Sequence, residues 1–390
     1  MGQNEVKASR DAGIELGRIF CCFCVIVIHV SSFYAARKDT SFIWTMAKCA
    51  ATPVFFLITG FFFSASKPFK TYLSRLMYRV IIPTILLMCL IAQFTPWLSD
   101  QAPLSECFSR LNTEYFILAG QIMISFWPYE YLPDYNPFIS LWFTFALIMC
   151  YLFFPILKII CGDNSNAKSV KKYFLWLGLF FFVFRNSLLV FFPDNFTVQH
   201  LDWWIQEKPF YWLWLMLVGH QLAVYLRNPE FVDKMRPVLI PSGLAAYLIG
   251  GSLLFWLTLS FDVNADGGVK QRFFIREFVF YILAQFGMFI MFASLKIKNL
   301  ALNRLILFVA EKTFYIYMIH EAVFKKMIKH TCLDIGTVSG YLGFACLAFG
   351  VSLMFACLLK KIERLVGRAV IRLKKTNETI QTGEAGKITV

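Results

Sequence analysis

The chain has 390 residues, of which 58% are apolar, 18% aromatic and only 16% charged. A soluble domain carries about 25% charged and about 45–50% apolar residues, so an excess this large cannot be buried in one water-soluble core. An ordinary cytosolic enzyme and intrinsic disorder are both excluded. With 44 Phe, 10 Trp and a mean hydropathy of +0.61, the expectation is an all-α, polytopic membrane protein. The net charge is +14, but the basic residues stand in short clusters between apolar runs. That is the pattern of cytoplasmic loops, and no nucleic-acid partner is expected. Cys21, Cys22, Cys24, Cys89, Cys150, Cys346 and Cys357 lie inside apolar runs. They read as small buried hydrophobes, and no metal centre is expected.

Ten segments are long and apolar enough to cross roughly 30 Å of hydrocarbon as helices. They cover 17–36, 45–65, 80–98, 139–160, 173–192, 210–226, 238–258, 277–295, 305–324 and 338–359. The first apolar run starts after Arg18 and lacks a small-residue cleavage site, so it reads as a retained helix and not a removed signal peptide. Pro53 interrupts the second. Setting the N-terminus inside places 25 Lys and Arg in cytoplasmic pieces against ten in outer loops, which favours both termini in the cytoplasm. Lys325, Lys326 and Lys329 fit this count poorly, because they follow the ninth segment on the outer side. The outer loops 99–138 and 193–209 are rich in acids and aromatics, among them Trp127, Tyr131, Asp202 and Trp203. These are interfacial belt residues or, in the alternative, a sugar-binding surface. The membrane domain occupies 1–360. The tail 361–390 is basic and then polar, with disorder expected from Thr376.

Ionisable residues inside hydrocarbon are functional candidates by default. Arg18 and His29 on the first helix are eleven residues apart, which brings them onto one face at about 16 Å of rise. A cation at the inner edge and an imidazole beyond the midplane suit a long substrate with an anionic head, His29 acting as general base. The alternative is a snorkelling arginine and a packed histidine. Arg75 and Arg79, at i and i+4, make a doubly cationic face fitted to phosphate, or serve topology alone. Arg185 lies deep in the fifth segment and requires an acidic or carbonyl partner. His320 and Glu321 are neighbours near the outer end of the ninth. His220 reads as structural. Walker, GxGxxG, GxSxG and HExxH motifs are absent from the sequence.

These residues resemble the integral-membrane acyltransferase family 3, which includes bacterial O-acetyltransferases of surface polysaccharides. The first helix, GIELGRIFCCFCVIVIH, is similar to the family's acid, arginine, ten residues and histidine, carried here by Glu15, Arg18 and His29. PVFFLITGFFFS (53–64) resembles the family's phenylalanine-rich second helix. RLMYRVIIP (75–83) resembles its paired arginines, one residue wider than the commoner RxxR. SLWFTFALIMCYLFFPIL (140–157) and TFYIYMIHEAVF (313–324) resemble two later signatures. The resemblance spans residues 11 to about 360, without a fused hydrolase-like domain. It implies acyl transfer, usually of acetyl, from cytoplasmic acyl-coenzyme A (acetyl-CoA) across the bacterial inner membrane. The acceptor would be a hydroxyl of a polysaccharide or lipid-linked glycan. Arg18, Arg75 and Arg79 would hold the donor phosphates and His29 would meet the thioester, with Glu15, Arg185, His320 and Glu321 in support. Succinyl transfer is the rival within this reading. A secondary transporter or flippase of lipid-linked sugars is the rival outside it, without the internal symmetry many transporters show.

Overall fold

The computed structural model describes residues 11–32, 38–125, 141–162, 164–185, 187–188, 208–261, 278–328, 330 and 337–385. Among the described residues there are sixteen α-helices, two π-helical turns and no strand. Backbone polar groups in hydrocarbon must be satisfied within each segment, and helices do this residue by residue.

Helix α1 (Ala12–Ser32) is the central post. It is followed by α2 (Lys38–Ala50) and α3 (Thr52–Phe61), which Pro53 in the first turn of α3 sets apart. Helix α4 (Phe69–Leu76) runs through a π-helical turn (Met77–Ile81) into α5 (Ile82–Leu98). Two short helices, α6 (Leu104–Ser109) and α7 (Thr113–Ser125), fold back on α5. Helices α8 (Trp142–Leu152) and α9 (Phe154–Ile160) are bent by 53° where Pro155 removes a backbone donor. Helix α10 (Ser165–Gly178) ends in a second π-helical turn (Leu179–Arg185). Then come α11 (Lys208–Leu226), α12 (Pro229–Phe261), α13 (Val279–Ser294), α14 (Leu300–Ala310), α15 (Thr313–Ile328) and α16 (Val338–Ala385).

Among the described residues, five helical stretches have the length and apolarity to cross a bilayer: 12–30, 40–61, 69–98, 229–260 and 338–365. The bent α8–α9 pair makes a sixth, and Phe210–Leu226, Val279–Ser294 and Leu300–Ala310 are shorter apolar helices. The expected span 305–324 is corrected to two helices, α14 and α15, parted at Glu311 and Lys312. The Lys312 ammonium donates to the Phe308 carbonyl at 2.6 Å, and Glu311 meets Arg364 of α16 at 3.3 Å. A two-residue turn thus stands where hydropathy read one run. Helix α16 continues to Ala385, through residues whose composition suggested disorder.

The core is aromatic. Phe56 of α3 stacks on Trp212 of α11 at 4.5 Å and meets Phe143 of α8, which in turn meets Tyr317 of α15 at 4.9 Å. Helices α3 and α11 touch backbone to backbone at Gly60 and Gly219. A methyl group on Gly60 would collide with the Met216 carbonyl, and one on Gly219 with the Leu57 carbonyl. Small residues at such crossings are how membrane helices gain close packing where no hydrophobic force drives them together. Helices α2, α3, α13, α14, α15 and α16 all pack on α1.

Candidate active site

Asp11 opens α1. Its Oδ1 accepts from the backbone N–H of Gly13 at 2.9 Å and of Ile14 at 3.5 Å, capping the helix. Burial pushes the Asp11 carboxyl above the ordinary carboxylate range, and the two N–H bonds oppose that push. One turn on, Glu15 is buried and its Oε2 lies 3.0 Å from Nη1 of Arg18, whose side chain remains partly exposed. The acid identified only by resemblance is thus the group that orients the arginine. At i and i+3, the pair sits on one face of the helix.

Arg75 is half-buried and Arg79 exposed. Arg79 lies inside the π-helical turn, which holds one residue more per turn than an α-helix. That extra residue is the physical counterpart of the wider spacing in RLMYR. The guanidinium charges of Arg75, Arg18 and Arg79 all act on the Tyr151 hydroxyl of α8. Tyr151 stacks on Phe154 at 4.3 Å, and Phe154 meets Tyr72 and Phe63. The charges of three arginines from two distant stretches of sequence therefore reach one tyrosine. Pro68, Lys70, Ser74, Arg75, Tyr78 and Arg79 line an open cleft of about 520 Å³ with no acidic residue in its walls. Tyr151 has no sequence signal of its own, since only the fold brings it to the arginines.

Some three turns along α1, the ring of His29 lies 5.0 Å from that of His320 on α15. His320 is fully buried, and its Nδ1–H donates to the Tyr317 carbonyl at 2.5 Å. That bond fixes the tautomer and leaves Nε2 a lone pair, with no hydrogen-bond partner among the described residues. Beside it, Glu321 and Lys325 form a buried ion pair at 3.0 Å. The charges of both reach His29. Two of the lysines that fitted the loop count poorly, Lys325 and Lys326, lie within α15. Lys325 is paired inside the bundle, and Lys326 is paired with Asp100 while donating to the Trp97 carbonyl at 2.9 Å. Lys329 lies outside the described residues. The Glu321–Lys325 spacing at i and i+4 was the signal that could have found Lys325.

Arg185 is buried in its π-helical turn, which packs toward α13. His220 lies 5.9 Å from Phe63, ring to ring, in a second basic cleft. No group of three or more His, Cys, Asp or Glu side chains forms a metal-ligand set among the described residues. Of the aromatic and acidic residues expected in the loops 99–138 and 193–209, Trp127, Tyr131, Asp202 and Trp203 lie outside the described residues.

The match to known proteins follows the same stretch of chain. A family model of an acyltransferase domain, acyltransferase family 3, matches residues 11–358. The chain belongs to this family. No curated protein and no solved structure matches it significantly. As a family 3 acyltransferase it is a membrane protein whose domain takes in both ends of the α1 face, Arg18 with its arginine neighbours and His29 with His320.

Proposed function

We propose that the protein transfers an acyl group, acetyl in the first place, from cytoplasmic acyl-coenzyme A to a hydroxyl of a cell-surface or lipid-linked polysaccharide. It would do so in the bacterial inner membrane with both termini in the cytoplasm. The observation that carries this reading is the pairing of His29 with His320 on the face of α1 that also bears Arg18. Coenzyme A has a phosphorylated head and a long thin arm. Arg18, Arg75 and Arg79 would hold the phosphates, since charge-assisted bonds from guanidinium are the strong ones for such anions. The arm would run along α1, and the thioester would reach His29 after roughly 16 Å.

The chemistry then needs one base and a fixed geometry. A ring nitrogen of His29 takes the proton of the acceptor hydroxyl as its oxygen attacks the thioester carbonyl. The carbon–oxygen bond forms, the carbon–sulfur bond breaks, and the imidazolium returns the proton to the departing thiolate. His320, locked by the Tyr317 carbonyl, would orient and polarise the His29 ring. The Glu321–Lys325 pair would keep that end of α15 in place. Arg185 would support the bundle at a distance from these groups.

The test uses the full-length protein in liposomes with acetyl-CoA and a glycan acceptor, and product is read by mass spectrometry. The wild type should add acetyl; addition of succinyl from succinyl-CoA alone would reassign the donor. His29→Gln should abolish transfer while donor binding stays near the wild-type value. Full acylation by His29→Gln would remove His29 from the chemistry. A transporter would give no acylated product from any variant.

A further inference from the structure

Helices α9, α10 and α11, with residues 63–66 that follow α3, wall two cavities outside the donor site proposed above. One is a basic cleft of about 660 Å³, walled by Lys168, Lys171, Lys172 and Arg227 with His220 and Gln221, and no carboxylate stands among its lining residues. The other is an apolar groove of about 580 Å³, walled by residues such as Ile156, Phe174, Phe181, Leu213 and Trp214.

The two meet end to end along the same three helices. On α9 the groove residues run to Ile160, and the cleft begins at Cys161 and Gly162. On α10 the cleft lysines occupy the first two turns, and the groove takes over from Phe174 and runs on into the π-helical turn at Phe181. On α11 the groove ends at Leu217 and the cleft follows at His220. Three residues of helix rise by about 4.5 Å, so the polar site and the apolar site are immediate neighbours. Ile156, Phe174 and Phe210 on the groove's wall are exposed large apolar side chains, so the groove opens to the outside of the bundle.

We propose that this composite cavity is a binding site for one anionic phospholipid, its headgroup phosphate in the basic cleft and an acyl chain in the groove. Lys168, Lys171 and Lys172 fall at i, i+3 and i+4, so all three ammonium groups face one side of α10. Arg227 is held in place from below: it donates to the Phe61 carbonyl, and its guanidinium lies 4.8 Å from the centre of the Phe61 ring. A basic pocket between membrane helices is a recognised way of selecting an anionic headgroup. The adjoining apolar groove favours a phosphate that carries a hydrocarbon chain over a water-soluble one. The indole N–H of Trp214 is bonded to the Leu175 carbonyl at 3.1 Å, which steadies the ring where the two chambers join.

Binding is read on the purified full-length protein in neutral detergent, by quenching of tryptophan fluorescence with brominated-chain lipids. Trp214→Phe identifies the share of the quenching that comes from the groove. Brominated phosphatidylglycerol should quench that share at concentrations where phosphatidylcholine with the same chains does not. Lys171→Gln/Lys172→Gln should weaken the phosphatidylglycerol response on the order of tenfold. Leu177→Trp, which narrows the groove, should lower the binding of phosphatidylglycerol with the charges intact; native mass spectrometry counts the lipid retained. Equal quenching by both lipids, or no effect of the lysine substitutions, would overturn the proposal. Stoichiometric displacement of the lipid by desulfo-coenzyme A would overturn it as well, by assigning the cleft to the soluble donor's phosphates.

Discussion

The buried pair Glu321–Lys325 offers the sharpest test of how the His29 end is built. The two groups are 3.0 Å apart, with side chains 4% and 10% exposed. Glu321→Ala would leave the Lys325 ammonium in that setting without its carboxylate. Breaking one partner of a buried pair costs about 3–5 kcal/mol, because the desolvated charge remains. Removing both charges with shape kept, as in Glu321→Gln/Lys325→Met, should cost far less, since an apolar replacement of a buried pair is often near neutral. Thermal unfolding in detergent should therefore fall for Glu321→Ala by on the order of 5–10 °C, with the double variant recovering most of the loss. The contact between His29 and His320 depends on α15 holding its register, so the double variant should also recover transfer activity. A double-mutant cycle gives the coupling directly. If Glu321→Ala and the double variant lose the same stability, the two charges do not act as a pair and the packing drawn for α15 is wrong.

Other outcomes follow from the same geometry. Arg18→Ala, Arg75→Ala and Arg79→Ala should each weaken acetyl-CoA binding, each removing a charge-assisted contact worth about 1.5–3 kcal/mol, or roughly 10- to 150-fold in affinity; unchanged titrations for all three would remove the arginines from the donor site. Gly219→Leu should prevent α11 from closing on Leu57 of α3 and abolish accumulation of folded protein, while Gly120→Ala, where nothing lies within 4 Å, should be tolerated; expression and gel filtration decide. Reporter fusions at Lys168 and Asn195 should fall on opposite sides of the membrane, and the same side for both would refute the expected topology.

Much of this arrangement was legible in the sequence because it is local. Helical periodicity alone places Arg18 and His29 on one face, and charge spacing alone puts Lys168, Lys171 and Lys172 together. What could not be read is what lies opposite. His320 was an ionisable residue in an apolar run, but nothing within α15 says that its ring faces His29 across nearly 300 positions of chain. Tyr151 was one aromatic among many in an apolar stretch. Lys325 was counted in a loop because hydropathy treats it as a solvent-seeking charge, whereas it lies within α15 with its acid one turn away. Glu311 and Lys312 stood out as charges inside the run 305–324, but hydropathy did not show that the helix breaks there. Apolar residues flank the break on both sides, and its ion pair reaches α16, which follows much later in the chain.

The paired arginines show how a small irregularity can be read as design. RLMYR is one residue wider than the commoner pattern of the family, and the structure answers with a π-helical turn over Met77–Ile81. In a regular α-helix an added residue rotates everything beyond it by about 100° and turns the packed face of α5 away from the core. A π-helical turn absorbs the extra residue locally, so Val80, Leu87, Met88 and Ile91 remain buried. Deleting Tyr78, which is 67% exposed, tests this. If the turn stores one surplus residue, its removal restores α-helical geometry, leaves the register of α5 unchanged and keeps both arginines at a spacing of three. The deleted protein should then accumulate, unfold within a few degrees of the wild type and retain acetyl-CoA binding. The matched deletion of Leu86, within regular α5, should abolish folding, because nothing there can absorb the lost rotation. Loss of folding in both would mean that the turn holds no slack and that the wider spacing has another cause.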